Sequence, residues 1–242
     1  MYCINFLPIF PKEGDSLTYP NIVFGKFLSR PNRFVAEVEI DGQPTTVHVK
    51  NTGRCKELLV PGAAVWLTKS DNPNRKTAYD LVAVEKDGRI INIDSQAPNL
   101  IALEWVTQGG LGEVSHVRSE VTWGDSRFDL GCQTGETQHL IEVKGVTLFD
   151  GQGVAVFPDA PTSRGTKHLH GLIEAARTGM KASLLFVIMK EDAVALIPND
   201  LTDPAFSSAL REAAASGVQL IAACCRVTAD RAEIVRTVPI RL

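Results

Sequence analysis

Arg127-Phe128-Asp129-Leu130, then a loop of hairpin length, then Leu140-Ile141-Glu142-Val143-Lys144: these two segments decide how the chain reads. In a strand, side chains alternate faces, so Glu142 and Lys144 project together about 6.6 Å apart while Ile141 and Val143 project the other way. Charged groups in the middle of an otherwise apolar strand are costly unless paired or put to use. A neighbouring strand carrying Asp129 brings a second carboxylate alongside. Two carboxylates held close raise one another's pKa unless a cation neutralises them, and hard oxygen ligands suit Mg2+ or Mn2+. Asp129, Glu142 and Lys144 are therefore candidate catalytic residues for metal-assisted phosphodiester hydrolysis. Asp129 and Glu142 would hold the ion, with Lys144 near the attacking water or the scissile phosphate. The competing reading is a surface pair, Glu142 with Lys144, and Asp129 in an unrelated turn. Glu-x-Lys alone is common; the preceding Phe-Asp and the β-forming flanks give it weight.

The surrounding text predicts an α/β layer domain. Pro98 to Gln108 reads as a helix opened by proline and stopped by Gly109-Gly110. It carries Glu104, a candidate third metal ligand, although Glu104, Thr107 and Gln108 share one helical face that solvent alone explains. Strands are expected at 114–123, 127–132 and 139–149. Thr162 offers an N-cap for a helix whose apolar positions Leu169, Leu172, Ile173 and Ala176 follow the helical spacing, with Gly179 just beyond its end. Ala182 to Met189 is a buried-strand candidate. Asp203-Pro204 starts another helix that ends near Gly217, before a strand from Val218 to Ala223. In Thr162-Ser163-Arg164-Gly165-Thr166-Lys167-His168, Arg164 and Lys167 stand at a helix start, where phosphate is favoured; capping plus solvated bases accounts for the same residues. His168 and His170 are two apart, so no H-x-x-x-H metal pair exists, and no G-x-S-x-G elbow, Walker A loop or G-x-G-x-x-G fingerprint appears.

Upstream of residue 90 the pattern is different. Phe34 to Ile40 alternates, Asp41-Gly42 signals a hairpin, and Thr45 to Val49 resumes the alternation. Pro61-Gly62 turns into Ala63 to Leu67, and a loop at Asp71-Asn72-Pro73-Asn74 precedes Tyr79 to Val84. Short strands joined by tight turns suit a small barrel, OB-like or SH3-like. Residues 22–79 hold nine basic side chains against five acidic ones. A barrel with a positive groove is a device for holding nucleic acid. Candidate contacts are Lys26, Arg30 and Arg33 around the first strand, Asn51, Arg54 and Lys56 at the Asn51-Thr52-Gly53-Arg54 turn, and Arg75 and Lys76 in the later loop. Phe27, Phe34 and Trp66 are read as barrel core in preference to base-stacking residues.

The chain has 242 residues, 44% of them hydrophobic, and a formal net charge of −3. Disorder is not expected from such a composition. Apolar runs such as Leu184 to Met189 stop far short of the roughly 20 residues that span a bilayer, so no membrane association is expected. Five cysteines, two of them adjacent at Cys224 and Cys225, form no C-x-x-C pair and suggest neither a disulfide framework nor a zinc site. A reducing cytoplasm fits. The opening Met1 to Ser16 lacks a basic start and is broken by Pro8 and Pro11, unlike a signal peptide. The expected organisation is an extension over 1–16, a barrel domain over 17–90 and an α/β domain over 91–242.

The ordered motifs resemble the sugar fermentation stimulation protein (SfsA) family of bacteria and archaea from Tyr19 to Ala223. They are Phe24-Gly25-Lys26-Phe27-Leu28-Ser29-Arg30-Pro31-Asn32-Arg33-Phe34, Asn51 through Gly62, Ser70-Asp71-Asn72-Pro73 with Arg75-Lys76-Thr77, Ser126-Arg127-Phe128-Asp129, Glu142-Val143-Lys144, and Phe157-Pro158-Asp159-Ala160-Pro161-Thr162 through Arg164-Gly165 to Lys167-His168-Leu169. The resemblance implies an N-terminal OB-fold domain and a second domain similar to PD-(D/E)xK nucleases, with DNA as partner and Asp129, Glu142 and Lys144 at the matching positions. Phe128 stands where the motif's name has proline, and Cys55 where methionine is expected; neither is a proposed ligand.

Three readings follow. One is a DNA-binding protein with a Mg2+- or Mn2+-dependent nuclease-like centre, acting on single or double strands. Another is a non-catalytic DNA-binding regulator linked to sugar (maltose) metabolism, as the family name implies. The last is a nucleotide or polyanion enzyme unrelated to DNA. Nothing in the sequence speaks to oligomeric state.

Overall fold

The computed structural model describes residues 17–242 apart from Thr52 and Arg54. The 1–16 extension and Arg54, one of the candidate DNA contacts, therefore lie outside the described residues. The described chain forms two units, Leu17–Ala97 with Arg226–Ala232, and Pro98–Cys225 with Glu233–Leu242.

The first unit is an OB barrel built from β1 (Ile22–Asn32), β2 (Val35–Ile40), β3 (Gln43–Val49), β4 (Ala64–Lys69) and β5 (Tyr79–Lys86). Its strand order is β3-β2-β1-β4-β5, and a parallel β3–β5 pairing at His48↔Asp80 and Val49↔Leu81 closes it. The alternation read in the sequence is the burial pattern. Ala36, Val38 and Ile40 face the core, while Glu37 and Glu39 are only half-buried. Asp41 and Gly42 both adopt positive φ, 50° and 77°, as a two-residue turn matched to strand twist requires. β6 (Arg89–Asn92) continues the sheet beside β5, with Arg89 opposite Lys86, so the first unit extends past residue 90 to Ala97. It also takes in the later hairpin through a Thr18↔Arg231 bridge.

The aromatic assignments need correcting. Phe27 is core, but Phe34 is 49% exposed, because it sits at the β1–β2 hairpin tip with the Arg33 guanidinium 5.1 Å above its ring. Trp66 is half-buried and meets an exposed Phe24 edge-on at 6.0 Å.

The second unit has α1 (Ala97–Thr107), β7 (Ser115–Trp123), β8 (Ser126–Thr134), β9 (Thr137–Val146), β10 (Val154–Phe157), α2 (Ser163–Arg177), β11 (Lys181–Ile188), β12 (Ala195–Pro198), α3 (Pro204–Ala215), β13 (Gln219–Val227) and β14 (Ala232–Val238). Its mixed sheet runs β14-β13-β11-β9-β8-β7. β7, β8 and β9 are antiparallel neighbours, and β9, β11 and β13 run parallel. β11 and β13 are largely apolar, as strands covered on both faces must be, whereas β9 carries charged side chains in its middle. β10 and β12 form a separate two-stranded parallel sheet.

Two helix starts are pinned together. Thr162 Oγ1 accepts from Gly165 N–H at 3.0 Å and Asp203 Oδ1 from Phe206 N–H at 2.9 Å. The other Asp203 oxygen accepts from Thr162 N–H at 2.7 Å. α2 buries Leu169, Leu172 and Ile173 against Phe128, Leu140 and Phe186, each such side chain stabilising by about 1.5–3 kcal/mol. Glycine sets how closely these elements approach. A Cβ on Gly171 of α2 would lie 2.9 Å from the Phe128 ring, and one on Gly145 of β9 would lie 2.6 Å from Pro98 Cγ at the start of α1.

Candidate functional site

β8 and β9 pair with Leu130 opposite Ile141, so Asp129 and Glu142 occupy the next opposed position. β9 lies between β8 and β11, which makes Glu142 a carboxylate on an interior strand, 1% exposed. Isolated, such a charge would be neutralised or expelled. Here it is held: Lys144 Nζ and His168 Nδ1 both donate to Oε1 of Glu142. Burial acts to raise the Glu142 pKa, but the His168 hydrogen bond and the nearby Lys144 outweigh it and hold the carboxyl below its usual range. The other oxygen, Oε2, is buried with no hydrogen-bond partner.

Asp129 is the second carboxylate. Its Oδ2 accepts from Val143 N–H at 2.8 Å and its Oδ1 from the Asn99 amide at 2.9 Å. Burial and then the Glu142 charge raise its pKa, against the pull of those hydrogen bonds and Lys144. A divalent cation between the two would remove that repulsion, and one carboxylate oxygen there has no other partner. The donor set fits a hard cation that retains waters or takes substrate oxygens to complete its shell.

The structure thus brings Asp129, Glu142 and Lys144 together. Glu104 does not complete a ligand set with them. Its Oε1 accepts from Gln108 at 3.2 Å one helical turn on, and among the described residues no group of three His, Cys, Asp or Glu side chains is placed to hold an ion. The contribution of α1 is Asn99, delivered by the close approach of Pro98 to Gly145. Neither Asn99 nor His168 stood out in the sequence. The sequence shows His168 only as a member of the Lys167-His168-Leu169 family stretch and as a poor spacing partner for His170; its reach to Glu142 depends on α2 lying close against Phe128, whose ring centroid is 5.9 Å from the imidazole. The close-approach Gly171 is the trace of this in the sequence.

Arg164 and Lys167 are both exposed on the first turns of α2. Arg164 Nε lies 3.5 Å from His168 Nε2, on the same helix face as the carboxylate pair. Lys167 pairs with Asp125 at 3.2 Å in solvent.

In the barrel, several candidate nucleic-acid contacts make hydrogen bonds within the fold. Arg30 donates to the carbonyls of Asn51, Gly53 and Arg33. Asn51 donates to Ile93 O at 2.8 Å and accepts from Gly53 N–H at 2.7 Å, which makes it an internal turn clasp. Arg75 grips both oxygens of Asp80, whose pKa is lowered to about 2. Burial opposes that shift, while Arg75, His48 and Lys50 drive it. Lys26, Arg33, Lys56 and Lys76 remain exposed. Among the described residues no helix is long and apolar enough to cross a membrane.

Comparison with known proteins agrees with this architecture. The family model for the SfsA N-terminal OB domain matches residues 28–93, and that for the sugar fermentation stimulation protein RE domain matches 96–231. A sugar fermentation stimulation protein homolog of Desulfitobacterium hafniense strain Y51 is 48% identical over 226 residues, covering 93% of this chain and 99% of the relative. One from Ruminiclostridium cellulolyticum is 48% identical over 227 residues, covering 93% and 100%. The structure of Pyrococcus furiosus SfsA in complex with Ca2+ superposes with a TM-score of 0.84 at 26% identity, covering 94% of this chain and 99% of that one. The chain belongs to the sugar fermentation stimulation protein family, an OB domain followed by the family's RE domain.

Proposed function

We propose that this protein binds DNA and carries a Mg2+- or Mn2+-dependent phosphodiesterase centre of the PD-(D/E)xK kind at Asp129, Glu142 and Lys144. The observation that carries the reading is the buried, unpartnered Oε2 of Glu142, beside a second carboxylate whose pKa burial and repulsion push upward. That the Pyrococcus relative forms a complex with Ca2+ supports a divalent cation as ligand, and an OB domain supports a polynucleotide partner.

Asp129 and the free oxygen of Glu142 would hold the ion. Bound there, it would supply Lewis-acid polarisation of a phosphodiester. Asn99 and the Val143 amide orient Asp129, while His168 and Lys144 orient Glu142. Lys144 keeps a cationic donor beside the pair, where it can meet negative charge developing on a phosphate. Arg164 stands at the α2 N-terminus, which favours anions. Lys26, Arg33, Lys56 and Lys76 supply the exposed positive charge of the barrel, with Phe24 and Phe34 offering ring faces to bases.

The full chain with Mn2+ or Mg2+ is expected to cut labelled single- or double-stranded DNA, and Lys144→Ala to abolish cutting while binding persists. One observation favours the second reading, a non-catalytic DNA-binding regulator: no third acidic side chain joins the pair among the described residues. Binding without metal-dependent cleavage, unchanged by Lys144→Ala, selects it. Lys26→Ala is expected to lower the slope of log affinity against log salt by about 1 in either case.

A further inference from the structure

The two oxygens of Glu142 are in different states. Oε1 takes Lys144 and His168, whereas Oε2 is buried with no hydrogen-bond partner. A carboxylate on an interior strand can rotate about its terminal torsion, and that torsion is broad and two-fold. A single flexible lysine does not fix it, because the ammonium is a rotatable point charge on a four-carbon stem. An imidazole does. His168 is 6% exposed, sits on the helix rather than the sheet, and is packed against the Phe128 ring. Its Nδ1 meets an ionised carboxylate, which can only accept, so Nδ1 carries the proton. Nε2 faces the Arg164 Nε–H at 3.5 Å, a group that can only donate, so Nε2 presents its lone pair. The neighbours of His168 thus set an acceptor against Nδ1 and a donor toward Nε2.

We propose that His168 is a positioning residue: by holding Oε1 from helix α2 it turns Oε2 of Glu142 toward Asp129 and so shapes the divalent-cation site. The inference rests on the cation-site reading given above and adds what organises that site. Groups that orient a metal-binding carboxylate typically change affinity by roughly 10–100-fold when removed. His168 does not touch the ion; it acts through Glu142.

Mn2+ binding to the full chain, followed by the electron paramagnetic resonance signal of the free ion, tests the assignment without any turnover. Four proteins are compared: wild type, Glu142→Gln, His168→Leu and His168→Asn. An asparagine amide can occupy the place of Nδ1 and donate to Oε1, whereas leucine fills the volume without a donor. His168→Leu is expected to weaken Mn2+ binding roughly 10–100-fold, and His168→Asn to restore most of it, while thermal melts establish that both fold. Long-range 1H–15N spectra of the metal-free wild type are expected to show a proton on His168 Nδ1. The positioning role is overturned if His168→Leu binds Mn2+ as wild type does, if Asn and Leu weaken it equally, or if Nδ1 carries no proton. Those results leave the cation site standing as long as Glu142→Gln abolishes binding. A wild type that binds no Mn2+ overturns both.

Discussion

His139 links the second unit's stability to acidity. It lies on β9, 4% exposed, opposite Lys181 of β11. Ser183 Oγ, 2.7 Å from its Nε2, can donate onward to Gln219 at 3.3 Å, and Thr134 Oγ1 lies 3.3 Å from its Nδ1. A neutral imidazole satisfies both partners; a charged one gains no anion. Burial first, and then the Lys181 charge, lower its pKa from 6.5 to about 4. A depressed value means the unfolded chain takes up the proton first. The stability that depends on a neutral His139 is therefore complete above pH 6.5, is lost as pH falls from 6.5 toward 4, and falls no further below that. At about 1.4 kcal/mol for each pKa unit the loss comes to about 3 kcal/mol, a large share of a domain's margin. Urea unfolding in a Trp66→Phe background, where Trp105 and Trp123 report on this unit, measures it between pH 7.5 and 4.5. His139→Gln, whose amide keeps the Ser183 bond without a titrating proton, is expected to flatten that dependence. Equal acid loss in both proteins, or an imidazole that titrates near 6.5 by NMR, refutes the reasoning.

Other perturbations follow from the packing. Gly145→Ala drives a methyl to 2.6 Å from Pro98; it is expected to cost about 1–3 kcal/mol, shift α1 and weaken Mn2+ binding through Asn99, read by melting and by ion titration. Arg75→Ala leaves the buried Asp80 with His48 and Lys50 and is expected to destabilise the barrel by about 1.5–3 kcal/mol, with the acid midpoint of barrel unfolding moved upward. Asp203→Ala removes the α3 cap and the acceptor for Thr162 N–H together. It is expected to exceed the roughly 1 kcal/mol of a simple cap loss in urea unfolding.

Local chemistry made much of the second unit legible. Thr162 and Asp203-Pro204 announce helix starts through capping that needs only neighbouring residues, and the apolar run at 182–189 could only be an interior strand. The two-residue alternation around Asp41-Gly42 worked for the same reason. What escaped was short or non-local. β10 and β12 have four residues each, too few for a period, and the expected strand over 139–149 ends at Val146. β14 is half-buried along most of its length and gives no clean alternation. Phe34 looks like core by composition, yet the hairpin turns it outward. In their longer-range bonds Arg30, Asn51 and Arg75 clasp internal partners 5 to 42 residues away, which show only once the barrel closes. His168 meets Glu142 across 26 residues of chain, a distance that no spacing rule spans.

The return of Arg226–Ala232 to the barrel bears on how the protein is made. Most of the first unit lies within Leu17–Ala97, yet Tyr19 receives its backbone partner, the carbonyl of Asp230, only after the whole of Pro98–Cys225 has been made. A ribosome that has released the five barrel strands has not yet supplied the segment that pairs with Thr18 and Tyr19. Emergence from the exit tunnel thus leaves the barrel waiting, and a chain cut after Ala97 would leave the Tyr19 amide without that carbonyl.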